Sequence, residues 1–320
     1  MTMAYRALAI CIALIFISFT KLSAQTVSCP DAAQYYAKDS VNIVTFGAST
    51  VQGVNGLNFQ TYLTGFFVKC YTNKTINISN YGIAGQTTGQ GLARLDEAIL
   101  GKTGFIIINM GINDALAIVD KKQTIEQTQD NMTQIVERSL AAGLVPILCT
   151  LQNVDDRTDV RNRNANIQIR LLNTFYRTLV TKYKITLADI NGVIRRDFSL
   201  YQDAFHPNAR GYSLMAYILF DTINKIIADR FLQFTVTQNY PNPAGLDTHI
   251  DIVLPQADKV TLKIYDLRGR VVQLPLDEYL NNGKHTVSIN LSLLAAGMYI
   301  YRVTTESGLY TSTKKLIVAH

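Results

Sequence analysis

From residue 41 to about residue 231 the chain repeats one pattern: a short apolar run, then a longer stretch whose apolar positions recur at helical spacing. The runs at 41–46, 75–80, 105–110, 145–151 and 185–190 are rich in Ile and Val and bounded by Gly or polar residues, so they read as strands. Between them, Ile125, Met132, Ile135, Val136 and Leu140 share a helical face that stops near Gly143. Ile167, Leu171, Leu172, Phe175 and Leu179 share a second face. Tyr212, Met215, Leu219, Ile223 and Ile226 share a third, which starts after Pro207 and Asn208. Apolar strands alternating with helices predict an α/β fold, a parallel five-stranded sheet covered on both faces. Ligands of such sheets bind beyond the carboxyl ends of the strands, so chemistry is expected in the loops that follow them.

Helical spacing ends near residue 233. Alternating segments follow at 249–254, 260–266, 271–274, 286–290, 298–304 and 311–318. Turn signals separate them: Arg268 with Gly269, Asn281-Asn-Gly283, Ala296 with Gly297, and Ser307 with Gly308. Short strands with glycine turns predict a small all-β, antiparallel sandwich. The sequence therefore divides into a leader over 1–24, an α/β domain over 25–231, a linker over 232–238 and a β domain over 239–320.

The leader rests on three features: a positive Arg6, an apolar stretch over 7–19, and the small residues Ser23 and Ala24. That is the layout of a secretory signal peptide, with a cut expected after Ala24; an uncleaved anchor is the alternative. No apolar run reaches the ~18 residues of a membrane span. Composition adds little beyond this. The chain is 48% hydrophobic and 17% charged, too apolar for disorder. Its net charge is +6, of which Arg6 and Lys21 belong to the leader, and no basic run marks a nucleic-acid footprint. Four cysteines are present and Cys11 lies in the leader. Export permits oxidation, with Cys29–Cys70 the first pair to test because Cys149 sits in an apolar run; three inert thiols are the alternative. No Cys/His spacing calls for zinc, and neither metal nor organic cofactor is expected.

Four features at or beside strand ends carry candidate chemistry. Phe46-Gly-Ala-Ser-Thr50 follows the first strand and presents Ser49 at the sheet edge; Val51 excludes a G-x-S-x-G elbow. Asn80-Tyr-Gly-Ile-Ala-Gly-Gln86 follows the second, where Gly85 lets a backbone N–H approach a ligand. Gly111-Ile-Asn-Asp114 follows the third and offers the Asn113 amide, with Asp114 read as a local backbone acceptor. Asp203-Ala-Phe-His206 precedes the last helix. A serine hydroxyl needs a base to act as a nucleophile, and the base needs an orienting group. His206 is the one histidine before residue 249, since His249, His285 and His320 all lie in the β domain. The expected roles are Ser49 as nucleophile, His206 as base, Asp203 as orienter, and Ser49 N–H, Gly85 N–H and the Asn113 amide as oxyanion donors. One such donor is worth about 3 kcal/mol. Loops 51–58 and 153–166 are expected to set specificity. Arg157, Arg161 and Arg163 in the second loop read as a solvated helix start, with an acidic ligand as the alternative.

These four blocks resemble those of the SGNH (GDSL-type) hydrolases over residues 40–230. The resemblance implies a flavodoxin-like three-layer α/β/α sandwich and the same roles for Ser49, Gly85, Asn113, His206 and Asp203. Gly-Ala-Ser-Thr stands where the family writes Gly-Asp-Ser-Leu, and Ala48 lies outside the triad. Gly85-Gln-Thr-Thr-Gly-Gln-Gly-Leu-Ala-Arg-Leu95 is similar to the second block of the thioesterase/lysophospholipase/arylesterase branch. Asn239-Tyr-Pro-Asn-Pro243, Ile264-Tyr-Asp-Leu-Arg-Gly269, Gly283-Lys-His-Thr-Val287, Ala296-Gly-Met-Tyr-Ile-Tyr301 and Lys314-Lys-Leu-Ile-Val318 resemble the type A C-terminal sorting domain of the type IX (Por) secretion system in Bacteroidetes. A retained fibronectin-like binding module is the alternative there. Together these readings imply a secreted or cell-surface serine esterase, exported through the periplasm by the type IX machinery. Its substrate would be an O-acetylated glycan, a lysophospholipid or another short acyl ester. The alternative is a non-catalytic glycan-binding or adhesive protein on the same scaffold.

Overall fold

The computed structural model describes residues 27–319. The expected leader, Cys11 and His320 lie outside the described residues. A parallel sheet forms from β1 (Ser40–Gly47), β2 (Thr75–Gly82), β3 (Phe105–Asn109), β4 (Val145–Cys149) and β5 (Thr186–Ala188), in the order β2-β1-β3-β4-β5. That is the flavodoxin-like order, whose direction reverses between β1 and β3. Successive residues of β3 feed opposite layers, as strand pleating requires. Phe105 and Ile107 join one core with Phe59, Phe67 and Met215, whereas Ile106 and Ile108 join the other with Met132, Ile135 and Tyr176.

The connections are α1 (Ser49–Gln52) and α2 (Phe59–Cys70) after β1, then α3 (Thr88–Ala93) and α4 (Leu95–Ile99) after β2. They continue with α5 (Ile112–Val119) and α6 (Ile125–Ala141) after β3, α7 (Val160–Tyr183) after β4, and α8 (Ile190–Ile194) and α9 (Ala209–Arg230) after β5. The α6 and α9 faces expected from spacing are the ones turned inward. The α7 face differs. Ile167 and Leu171 are exposed, and Asn162, Asn166 and Asn173 are buried with Ile169, Leu172 and Tyr176. The reason lies in the loop after β4. Asn173 accepts from Leu151 N and donates to Leu151 O at 2.7 and 3.0 Å, and Asn166 treats Val154 the same way at 2.9 Å each. Each asparagine satisfies a buried backbone donor and acceptor that no strand partner reaches.

Cys29 and Cys70 form a disulfide that ties the start of the domain to the last residue of α2. Cys149 is a buried free thiol whose pKa burial pushes up.

The β domain has two sheets. One holds β10 (Gly283–Asn290), β7 (Asp247–Leu254) and β6 (Thr235–Val236); the other holds β12 (Thr311–Val318), β11 (Gly297–Thr305), β8 (Asp258–Tyr265) and β9 (Val271–Leu280). All of their pairings are antiparallel. Strict alternation in β8 sends Val260, Leu262 and Ile264 into one apolar core. The β6 strand lies inside the stretch read as linker, and β9 runs past Leu274 through Pro275 along the sheet edge, where a missing N–H costs no ladder bond. Among the described residues no helix is long and apolar enough to cross a membrane, and no His/Cys/Asp/Glu group is arranged to hold a metal ion.

Candidate active site

The turn after β1 is unusually tight. A Cβ at Gly47 would stand 2.2 Å from Val51 Cγ2 and 2.4 Å from Asn109 O, so only glycine lets β1 pass directly into α1. Ser49 opens that helix at the sheet edge. From the other end of the domain, the loop before α9 brings His206 to it: Nε2 lies 2.8 Å from Ser49 Oγ. His206 Nδ1 faces both Asp203 oxygens, at 3.0 and 2.9 Å. Asp203 Oδ1 also accepts from the Phe205 and His206 N–H groups, each at 2.8 Å. Burial works against the Asp203 charge, yet the Phe205 N–H, the imidazole and the His206 N–H hold its carboxyl below the usual value. The acid therefore stays ionised and fixes the ring with Nε2 turned to the serine.

Ser49 and His206 open onto a cavity of about 250 Å³ lined also by Gly85, Asn113, Asn109, Ile112, Leu116 and Phe205. Gly85 has φ +77° and faces open space, so its backbone borders the cavity without a side chain in the way. Among the described residues neither the Ser49 nor the Gly85 N–H has a protein acceptor. Asn113 Nδ2 donates to Gln86 O at 2.9 Å, which orients the amide and leaves its second N–H unspent. The arrangement can do three things chemically: deprotonate a hydroxyl, hold the resulting imidazolium, and surround a nascent oxyanion with donors.

All five residues singled out from the sequence thus border one site or its hydrogen-bond chain. Other expectations change. Neither loop 51–58 beyond the end of α1 nor loop 153–166 lines the cavity; its walls are α5 and Phe205. The second loop is pinned to α7 by Asn166, Arg157 pairs with Asp155, and Arg161 with Asp120. Asp114 is not a local acceptor. It is fully buried and accepts from Thr88 N and Oγ1 and from Gln123 Nε2, because its place in the first turn of α5 turns it toward the start of α3.

Sequence reasoning missed the scaffold around these groups. Gln52 Oε1 accepts from Ala84 N at 2.6 Å, next to Gly85. Gln152 Nε2 donates to Thr50 Oγ1 at 3.1 Å, next to Ser49. Arg94 reaches both Gly47 O and Gln86. The block 85–95 contained two of these residues, Gln86 in the loop before α3 and Arg94 between α3 and α4, but an amide or guanidinium gives no signal in sequence of where it points.

Residues 45–214 match the GDSL-like Lipase/Acylhydrolase family, and residues 238–319 match the Secretion system C-terminal sorting domain. The second match directs the chain to secretion or the cell surface. No curated protein sequence matches the chain. Among solved structures, the lipase/acylhydrolase of Enterococcus faecalis aligns at 20% identity over 58% of this chain and 96% of its own, with a TM-score of 0.51. An acetylxylan esterase from Geobacillus stearothermophilus aligns at 19% identity over 57% and 94%, with a TM-score of 0.48. At 20% identity the likeness to the Enterococcus faecalis protein concerns the fold.

Proposed function

The chain belongs to the GDSL-like lipase/acylhydrolase family and is an ester-hydrolysing enzyme; from that premise we propose that it is a secreted serine esterase working through an acyl-enzyme on Ser49. His206 Nε2 takes the Ser49 proton as Oγ attacks the ester carbonyl, and the Asp203 carboxylate holds the imidazolium. The Ser49 and Gly85 N–H groups and the free Asn113 N–H receive the oxyanion. His206 then protonates the departing alcohol. A water molecule, deprotonated by the same imidazole, releases the acid and restores the serine. The substrate is a carboxylic ester with a short acyl group: an O-acetylated glycan, a lysophospholipid or a similar ester. The acyl group lies against Ile112, Leu116 and Phe205, and the alcohol leaves toward solvent. What carries this reading is the unbroken Asp203–His206–Ser49 chain opening on a cavity with unspent amide donors.

The test uses protein lacking residues 1–24 and a short-chain chromogenic ester. Ser49→Ala and His206→Ala are each expected to lower kcat by about 1,000-fold or more. Equal turnover in parent and variants would remove these residues from the mechanism and return the chain to the binding-protein alternative.

For export, the leader over 1–24 takes the chain into the periplasm, the domain over 25–231 carries the chemistry, and the segment after 232–238 delivers it to the type IX machinery. Deleting residues 239–320 is expected to keep the enzyme out of the medium. Normal appearance in the medium would overturn the sorting role.

A further inference from the structure

The Arg94 side chain has no ion-pair partner among the described residues, and its guanidinium is partly buried where α3 meets α4. Its contacts lead to both halves of the site. Nη2 donates to Gly47 O at 3.0 Å, two residues before Ser49. Nε donates to Gln86 Oε1 at 2.6 Å, one residue after Gly85. Gln86 O in turn accepts from Asn113. Phe46 supports the guanidinium from one face, with its ring centroid 4.6 Å from Cζ. Gly47 O also accepts from Ile83 N at 3.1 Å, so the nucleophile turn and the Gly85 loop meet at one carbonyl.

An arginine on the protein surface gains by pairing with a carboxylate, and seven other arginines among the described residues do so, which makes a partly buried guanidinium spent on two neutral oxygens a costly choice. Its planar fork has a use here. It fixes two loops in one geometry, and it brings a positive charge, offset in part by Glu97, to the frame that holds the Ser49 turn and the Gly85 loop.

We propose that Arg94 is a positioning residue of the esterase: it locks the Ser49 turn to the Gly85–Asn113 loops so that the oxyanion donors converge, and it adds its charge to their field. This rests on the reading of Ser49 and its donors given above. Arg94 does not touch substrate. Its loss therefore slows the chemical step and leaves binding largely intact.

The experiment compares parent, Arg94→Lys, Arg94→Ala and Ser49→Ala with a short-chain chromogenic ester, and measures Ser49 modification by a p-nitrophenyl phosphonate. Arg94→Ala is expected to lower kcat by about 10- to 100-fold, with KM held within about threefold and phosphonylation slowed in parallel. Low-millimolar guanidinium is expected to restore part of the Arg94→Ala activity and none of the Ser49→Ala activity. Arg94→Lys is expected to fall between parent and Arg94→Ala, and it carries the test if the alanine variant does not fold. A kcat within twofold of parent in both variants would overturn the proposal. So would a loss that guanidinium does not restore and that follows a fall in melting temperature. If Ser49→Ala itself turns over like parent, the reading of the nucleophile fails, whatever Arg94 does.

Discussion

Among the described residues two serine–histidine pairs stand at nearly the same distance. His206 Nε2 lies 2.8 Å from Ser49 Oγ in the α/β domain, and His249 Nδ1 lies 3.0 Å from Ser288 Oγ in the β domain. The second is a cross-strand pair, since His249 on β7 sits directly opposite Ser288 on β10. Ser288 is exposed, and the ring of His249 tilts against Tyr240 with no carboxylate recorded on its other nitrogen among the described residues. Contact between a hydroxyl and an imidazole is therefore cheap, because any antiparallel ladder can place one opposite another. What separates the first pair is its surroundings: an acid that fixes the ring, a cavity, and donors with nothing else to bind. Those surroundings need three loops converging at the reversal of a parallel sheet, and neither sheet of the β domain has such a convergence.

The sharpest way to break this comparison is to remove the acid and the second pair separately. Asp203→Asn is expected to lower kcat by about 100-fold or more, because the imidazole loses the partner that sets its tautomer. Ser288→Ala and His249→Ala are expected to leave turnover within about twofold, since surface changes away from a site are near neutral. Steady-state rates with one chromogenic ester check all three, and a large loss in Ser288→Ala would undo the distinction.

A smaller effect sharpens the same contrast at the level of the frame. Asp156 is buried in the loop between β4 and α7 and binds Arg196 and Asn166. Burial opposes its charge, but those two side chains hold its carboxyl below the usual value. Its stabilising contribution is therefore complete above the unfolded-state value near pH 4, and it fades as pH falls through the lower folded value. Asp156→Asn is expected to cost about 2 kcal/mol at pH 7. The gap from parent should narrow on acidification below about pH 4, as read by thermal unfolding. A gap that is constant with pH would mean that Asp156 acts by shape alone.

Much of this was legible beforehand, for identifiable reasons. The central strands β1, β3 and β4 are buried on both sides, so their apolar runs are nearly continuous and bounded, whereas the edge strand β2 alternates, with Ile76 and Ile78 packed against the core. His206 stood out because no other histidine precedes residue 249. The α7 face did not stand out, because its inward asparagines serve backbone groups and look polar to any periodicity argument. The β9 strand was underread because it is an edge strand with Pro275 and exposed Val271, Val272 and Leu274, so burial imposes no alternation on it. The β6 strand has two residues, too few to show any period. Arg94 and Gln86 escaped because their importance lies in which carbonyl and which side chain they reach, a matter of tertiary placement.

The length of α9 has a consequence of its own. Its first turn follows His206, while near its far end Ala228 O accepts from Asn282 Nδ2 on the β domain. Twenty-two residues of helix separate the two ends, about 33 Å at the usual rise. Removal of the β domain would therefore strip a contact from the last turn of that rod, at the opposite end from His206.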